Sequence, residues 1–134
     1  MINLALTLQH LFPSGRPLDD WVVTDLGSGP FISQWNHPEP QPTQAEIEAA
    51  ALPATKAQRI AAINTECRAR LLARFGDPAE QVSRSIGVYG LAEKAALGTG
   101  IAATIDASNT ASDAVTAATT IEAVEAVAVT WPTI

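Results

Sequence analysis

The side chains that could carry out chemistry are few in this sequence and lie far apart. The only imidazoles are those of His10 and His37, and the only thiol is that of Cys67. A cysteine–histidine pair acts as a nucleophile only within hydrogen-bond reach, and the spacing predicts no such contact. Neither histidine has a second ligand at a spacing that suits a metal ion. We therefore predict no catalytic residue, no metal site and no bound cofactor, and a small enzyme such as a hydrolase is the least favoured function.

The remaining motifs that sometimes carry chemistry have structural interpretations. Asp19 and Asp20 are neighbours, so in a strand or turn their carboxylates point apart, which favours solvation over acid–base catalysis. Gly27 and Gly29 precede no predicted helix, so they fit neither a phosphate loop nor a dinucleotide fingerprint. Cys67 falls on the apolar stripe of a predicted helix, where a packing role is expected.

The charge balance argues against two further classes of partner. The chain of 134 residues has 8 basic and 14 acidic residues and a net charge of −6, and acidic surfaces repel phosphate backbones and anionic membranes. No apolar run approaches the roughly 20 residues that span a bilayer, and residues 1–12 lack the basic segment of a signal peptide. We expect no nucleic-acid partner, no membrane partner, and synthesis in a reducing cytoplasm.

The first part of the chain predicts a small module of one helix and one β-hairpin. A short amphipathic helix that begins after Asn3 has three leucines on one face: Leu4, Leu8 and Leu11. Residues 21–26 and 31–35 are rich in β-branched and aromatic side chains, and a Gly-Ser-Gly-Pro turn separates them, which predicts a hairpin. Because an isolated hairpin is marginal in water, it should pack on the helix or pair with a neighbouring chain.

A proline-rich stretch follows the hairpin. Prolines alternate with polar residues between residues 38 and 42, and each proline fixes φ and removes a hydrogen-bond donor. This pattern predicts an extended polyproline II conformation, which we interpret as a stiff connector rather than as a ligand for an aromatic groove.

Capping motifs predict where the later helices begin. Residues 43–46 open a short helix that stops near Pro53, and residues 55–58 open a longer helix that ends at Gly76. The longer helix has an apolar stripe made of Ile60, Ile63, Cys67, Leu71 and Phe75. Its basic side chains are interpreted as a solvated face: Lys56, Arg59, Arg68, Arg70 and Arg74.

A third helix is predicted to open at Asp77, with Pro78 in its first turn, and to end at Gly98 and Gly100. It should carry four side chains inward: Val82, Ile86, Tyr89 and Leu97. Residues 101–120 are poor in charge and rich in alanine, threonine and serine, and the last two weaken helices. We favour a helix there, with an extended conformation as the alternative, and a last short helix through Val127.

These elements predict an α+β fold: a small N-terminal helix with a β-hairpin, a Pro-rich connector, and a mainly α-helical C-terminal region that forms a helical hairpin or bundle. The predicted regions are a docking module over residues 1–37, a connector with a short helix over residues 38–54, and a helical assembly region over residues 55–134. Because alanine supplies much of the apolar content, the core should be thin.

The aromatic residues are the best candidates for contacts with other proteins. Trp21 and Trp35 lie in the predicted hairpin and Trp131 lies near the end of the sequence. Tryptophan supplies core area but also anchors interfaces, and we favour the core while keeping the interface as the alternative. The candidate interface residues are Trp21, Phe31, Trp35, Ile60, Ile63, Tyr89 and Trp131.

The order of features over residues 1–51 is distinctive. It comprises Leu11-Phe12-Pro13, an acidic pair before Trp21, Asp25 before the Gly27-Ser28-Gly29-Pro30 turn, Ile32-x-x-Trp35, and Pro40-Gln41-Pro42-Thr43 before an acidic helix. This order resembles the N-terminal module of small bacteriophage tail proteins of the XkdW-like type. Further along, Ile63-Asn64, Cys67-Arg68, Gln81, Thr119-Thr120-Ile121 and Trp131-Pro132 are similar to helical regions of tail-fibre-associated phage proteins.

The resemblance implies a virion protein of the phage tail with no catalytic residues, synthesised in the host bacterial cytoplasm. The expected role is a structural component, such as a baseplate, tail-tip or fibre-attachment adaptor, whose partners are other tail or fibre proteins. The alternative is a tail-fibre assembly chaperone that leaves before the particle matures. Because tail axes are three-fold or six-fold, the resemblance favours a homotrimer, and the helices after Thr55 are the expected site of self-association.

Overall fold

A computed structural model describes all of residues 1–134. In chain order the elements are α1 Leu4–Leu11, β1 Trp21–Asp25, β2 Pro30–Trp35, α2 Gln44–Phe75, α3 Pro78–Ser85, α4 Leu91–Ala117 and α5 Ile121–Glu125. The predicted α+β class is confirmed, with one small sheet and mostly helix after it. None of the helices combines the length and the hydropathy required to cross a bilayer.

The chain divides into two compact units, and each is described by itself. Unit 1 comprises Met1–Gln58 and Thr119–Glu125, and unit 2 comprises Arg59–Ala118 and Ala126–Ile134. This division concerns packing, and the three functional regions expected from the sequence stay a prediction.

The core of unit 1 forms between α1, the hairpin and the start of α2. The side chain of Asn3 caps α1 by accepting a hydrogen bond from the backbone N–H of Leu6, as predicted. Leu4 and Leu8 are buried on one face of this helix. They form a single apolar cluster together with Trp21 of β1 and Ile47 of α2, so the helix and the hairpin stabilise each other as a small module.

The hairpin has the predicted antiparallel pairing, with strand ends within one residue of those expected. Trp21 lies opposite Trp35, and the register shifts between Val22 and Val23 at a β-bulge. The carboxylate of Asp25 accepts hydrogen bonds from the backbone N–H groups of two turn glycines, Gly27 and Gly29. Both glycines have positive φ values, a conformation that costs glycine little and that the turn requires.

One continuous helix, α2, replaces the two that the sequence predicts on either side of Pro53. The predicted break is wrong because the apolar face continues through the proline: Ala50, Ala51 and Ala54 are all buried. Instead of capping a new helix, the hydroxyl of Thr55 donates a hydrogen bond to the carbonyl of Ala51, 2.8 Å away. Packing on both sides thus outweighs the one backbone hydrogen bond that Pro53 cannot make.

The third predicted helix is likewise divided differently. The N-cap at Asp77 is confirmed, with a complete capping box to Glu80, but α3 ends at Ser85. Gly87 and Gly90 then adopt positive φ values of 86° and 95°, which a regular helix does not allow. The predicted ends at Gly98 and Gly100 are wrong, because α4 runs through both.

The Ala/Thr-rich stretch is helical, as favoured, through the end of α4 at Ala117. The last predicted helix is confirmed as α5, although it ends two residues earlier than expected. Gly76 is the predicted end of the helix that opens at residues 55–58. It directly follows the end of α2 and has a φ of 78°, so this end is confirmed.

Unit 2 is built on the part of α2 after Gln58 and on α4, which run antiparallel. Its contacts pair Cys67 with Thr104, whose carbonyl lies 3.9 Å from Sγ, and Asn64 with Ser108 at 3.4 Å. The buried face of α4 recurs every three or four residues: Leu97, Gly100, Thr104, Ser108, Ala111 and Val115. Most of these side chains are small, which agrees with the expected thin core.

Two glycines of α4 should respond to alanine in opposite directions. A Cβ at Gly98 would meet open space, so Gly98→Ala should raise the free energy of unfolding by about 1 kcal/mol through helix propensity. A Cβ at Gly100 would lie 2.7 Å from Cζ of the buried Phe75 ring, and such overpacking costs about 1–3 kcal/mol. Urea unfolding of the two variants checks this, and stabilisation by both alanines would contradict the packing described.

Candidate interaction surfaces

An aromatic cluster lies at the centre of unit 1. The rings of Trp21 and Trp35 stack across the hairpin with centroids 5.8 Å apart and planes 17° from parallel. Phe12 meets Trp35 edge-on at 5.3 Å, and His37 lies 4.8 Å from Phe12. Cross-strand register positions the tryptophans, and Phe12 reaches them from the end of α1 as its C-cap.

His37 helps to attach the proline-rich stretch to the hairpin. The indole N–H of Trp35 donates to the carbonyl of Glu39 at 2.8 Å, and the backbone N–H of Glu39 donates to Nδ1 of His37 at 3.2 Å. Because Nδ1 accepts, the neutral imidazole carries its proton on Nε2. These two hydrogen bonds give His37 a structural role. The sequence alone indicates only an isolated imidazole at this position. The alternation Trp35-x-His37, which puts both on one side of an extended chain, could have shown it.

The net charge of the chain belongs to unit 1 alone. Unit 1 has 2 basic and 8 acidic residues, whereas unit 2 has 6 of each. The backbone N–H and the hydroxyl of Thr43 lower the pKa of Glu46, and backbone hydrogen bonding followed by the Met1 amino group lowers the pKa of Glu122. These carboxylates therefore stay ionised at neutral pH, and unit 1 offers an acidic surface.

Three charged side chains join α2, α3 and α4 in unit 2. Both terminal nitrogens of Arg74 donate to the Glu93 carboxylate at 3.0 and 2.9 Å, and Nη1 of Arg84 donates to it at 2.6 Å. Arg84 also donates from Nε to the Phe75 carbonyl at 3.1 Å, and its guanidinium lies 4.6 Å from the Tyr89 ring centroid. The hydrogen bonds from Arg74, more than any other contact, lower the pKa of Glu93.

This ion network should make stability depend on pH. Since the folded-state pKa of Glu93 lies below the unfolded value near 4.5, its contribution is present at neutral pH and is lost as pH falls through the folded-state value. Glu93→Gln should therefore be less stable than the native chain at pH 7, and the difference should shrink below about pH 4.5. Thermal unfolding across pH 3–7 measures it.

A matched control uses the other ion pair on α2. Glu66→Gln removes the i,i+4 partner of Arg70. The Glu66 side chain is more exposed than that of Glu93, so the loss of stability at pH 7 should be much smaller. An equal loss in both variants, or a Glu93→Gln difference that does not change with pH, would contradict the assignment.

Three of the five basic side chains on α2 are engaged within unit 2 rather than forming only a solvated face. Arg59 donates from Nη2 to the carbonyl of Val127 at 2.7 Å. Arg70 pairs with Glu66 and lies 4.9 Å from the Trp131 ring centroid, and Arg74 belongs to the network at Glu93. The interpretation as a solvated face is therefore wrong for Arg59 and Arg74, which are half-buried, whereas Arg70 stays exposed beside its partners.

A group of apolar side chains stands exposed where α3 turns into α4. We call it the tip; its members are between 50% and 82% exposed: Val82, Ile86, Val88, Tyr89 and Leu91. The prediction that Val82, Ile86 and Tyr89 face inward is wrong, whereas Leu97 is buried as predicted. The break at Gly87 and Gly90 ends the helical phase on which that prediction depended, and this glycine pair is the signal in the sequence that marks the tip.

The seven candidate interface residues fall at different depths. In unit 1, Trp21 is buried, Trp35 is half-buried beside it, and Phe31 is exposed on β2. In unit 2, Ile63 is buried, Ile60 and Trp131 are half-buried, and Tyr89 is exposed at the tip. The structure therefore brings Trp21 and Trp35 together in the core. An interface role for this set stays a prediction.

Comparison with known proteins now bears on unit 1. The model of the XkdW protein family matches residues 4–59. The predicted XkdW resemblance is confirmed for this segment, and XkdW is a phage-associated family. The XkdW segment contains the aromatic cluster and the four buried residues of the apolar cluster formed by α1, the hairpin and α2. It ends within α2, so the predicted similarity of the C-terminal helices to fibre-associated proteins stays a prediction. No curated protein and no solved structure matches the chain significantly.

Proposed function

We propose that this phage-related chain is a structural component of a bacteriophage tail that acts through protein–protein contacts. Its place would be the baseplate, the tail tip or a fibre-attachment adaptor. The observation that carries the proposal is the XkdW match, because the matched residues include the four buried residues of the apolar cluster that joins α1, the hairpin and α2. The family signal thus belongs to a folded module and not to a scattered set of residues.

Two different surfaces support a role in assembly. Unit 1 holds the whole net negative charge, so the partner on which this module docks should offer a basic surface. Unit 2 has no net charge but exposes the apolar tip, and exposed apolar patches mark contact sites. The proposed partners are other tail or fibre proteins and further copies of the chain.

The positions of the reactive side chains support a non-enzymatic role. Cys67 is buried between α2 and α4, and Nδ1 of His37 is occupied by a backbone N–H. His10 is exposed in the last turn of α1. Replacing all three should leave phage assembly unchanged, whereas loss of assembly with an intact fold would contradict this part of the proposal.

A tail-fibre assembly chaperone is the second candidate. The exposed tip favours it, since a transient client would cover apolar side chains that are open in the isolated chain. The two roles differ in one respect: a structural component stays in the mature particle and a chaperone does not.

Deleting the gene from the phage that encodes it tests the proposal. We expect particles with incomplete tails or missing fibres by electron microscopy, restored by the native chain supplied in trans. Complementation by Leu26→Ser, which changes a side chain that is 79% exposed and is not among the candidate interface residues, is a control for expression. Normal, infectious particles in the deletion strain would overturn the proposed function.

A further inference from the structure

The tip is large enough to form a specific contact. Its five members lie within ten residues and together expose on the order of 600 Å², the upper end of what the largest patch on a typical monomer exposes. Two such patches facing each other would remove about 1,200 Å² from water, which is the lower limit for specific protein–protein interfaces. A pair of tips therefore reaches this lower limit when the two patches cover each other completely.

The tip lacks the charge that would keep two copies apart. Arg84 is the only charged residue between Val82 and Leu91, and it is turned towards Glu93, with its side chain only 17% exposed. Outside the tip, exposed Glu80 precedes it and exposed Lys94 follows it. The carboxylate of Glu80 stays exposed although its Oε2 accepts a hydrogen bond from the backbone N–H of Asp77. A two-fold arrangement can therefore set Glu80 of one copy towards Lys94 of the other, which makes the surface complementary to itself.

The backbone of the tip is held in place before any partner binds. Val88 donates its N–H to the carbonyl of Ser83 at 3.1 Å, and Gly90 donates to that of Gly87 at 2.9 Å. Arg84 fixes the end of α3 to the carbonyl of Phe75 and packs on Tyr89. A surface with this many internal restraints loses little conformational entropy on association.

We infer that the tip binds the tip of a second copy of this chain about a two-fold axis. Unit 2 has no net charge, so it suits a second copy of the chain. A basic partner would instead suit the acidic surface of unit 1. The inference depends on unit 2 alone and not on the tail role, so its failure and the failure of the proposed function are distinguishable.

The test is the mass of the purified full-length chain in solution, measured by light scattering and sedimentation over about 10–200 µM. We expect twice the 14.0 kDa of one chain at the upper concentrations. The double variant Ile86→Ser/Leu91→Ser should weaken association by roughly 10–100-fold, because it removes two apolar side chains from the centre of the contact. Lys94→Glu should weaken it by a smaller factor, about 3–10-fold, by placing like charges opposite each other.

The matched control is Leu26→Ser, which replaces a leucine that is 79% exposed in the hairpin turn of unit 1. It should leave the dissociation constant unchanged, and circular dichroism should show native helix content in every variant. A single-chain mass at all concentrations would overturn the inference. So would a three-chain mass, as the homotrimer expectation requires, or an equal effect of the tip and control variants.

Discussion

Trp21→Ala is expected to lower the free energy of unfolding by about 3–5 kcal/mol, the range for removal of a large aromatic side chain from a core. Trp21 is 1% exposed and contacts both the helix and the second strand of unit 1. It packs with Leu4 and Leu8 of α1 and stacks on Trp35 of β2. Gly15 lies against the ring so closely that a Cβ there would overlap it. Because the surroundings are shaped to this indole, they cannot close on the cavity that alanine leaves.

Urea unfolding followed by far-ultraviolet circular dichroism measures the loss, with Phe31→Ala as the control. Phe31 is an aromatic residue of the same hairpin but is exposed, so its removal should cost less than about 1 kcal/mol. Domains of this size have about 5–15 kcal/mol of total stability. In the Trp21→Ala variant, unit 1 should therefore also have a melting temperature well below that of the native chain. Equal effects of the two substitutions would show that the aromatic cluster is not the core of unit 1.

Phe75→Ala should have an effect of similar size in unit 2, about 3–5 kcal/mol. Phe75 is fully buried at the end of α2, and its ring lies against Gly100 of α4. Its backbone carbonyl accepts from Arg84, so a shift of this residue would also disturb the network that positions the tip. The variant should therefore lose stability and weaken the association of copies together.

Leu72→Ala is the control for this prediction, since Leu72 lies one turn earlier on α2 and is more than half exposed. Its effect on the free energy of unfolding should stay within about 1 kcal/mol. If Leu72→Ala lowered the free energy of unfolding as much as Phe75→Ala, α2 would contact α4 through a different face from the one described.

The helix–hairpin module of unit 1 could be predicted well because its signals are local. Asn3 accepts a hydrogen bond from the backbone N–H of Leu6, three residues away, and Asp25 accepts from glycines two and four residues away. Short segments of sequence therefore contain both partners of each contact. The alternation of apolar side chains in β1 and β2 then places Trp21 and Trp35 on one face. Such short-range patterns specify both the type of an element and its ends.

The errors fall where contacts distant in sequence decide the outcome. Pro53 is a standard stop signal, yet the buried alanines around it keep α2 continuous, and those alanines are buried only because of what packs on them. Gly98 and Gly100 resemble a helix end, but Phe75 requires a residue without a side chain at position 100. Local preference is a weak prior that tertiary packing overrides.

The candidate surfaces were the least predictable part. The Arg74–Glu93–Arg84 network joins residues up to 19 positions apart, and neither spacing nor composition indicates which carboxylate two arginines share. The sequence predicts that Val82, Ile86 and Tyr89 belong to the core because they fit one helical stripe. Only the positive φ values at Gly87 and Gly90 show that the stripe is interrupted.

The most direct test of a structural tail role is quantitative mass spectrometry of gradient-purified virions, with isotope-labelled peptides of this chain as standards. If the chain is a structural component, it should be present at a constant ratio to the main tail protein through successive purification steps. A chain that is abundant in the infected lysate but absent from purified particles would contradict the structural role and favour the assembly chaperone.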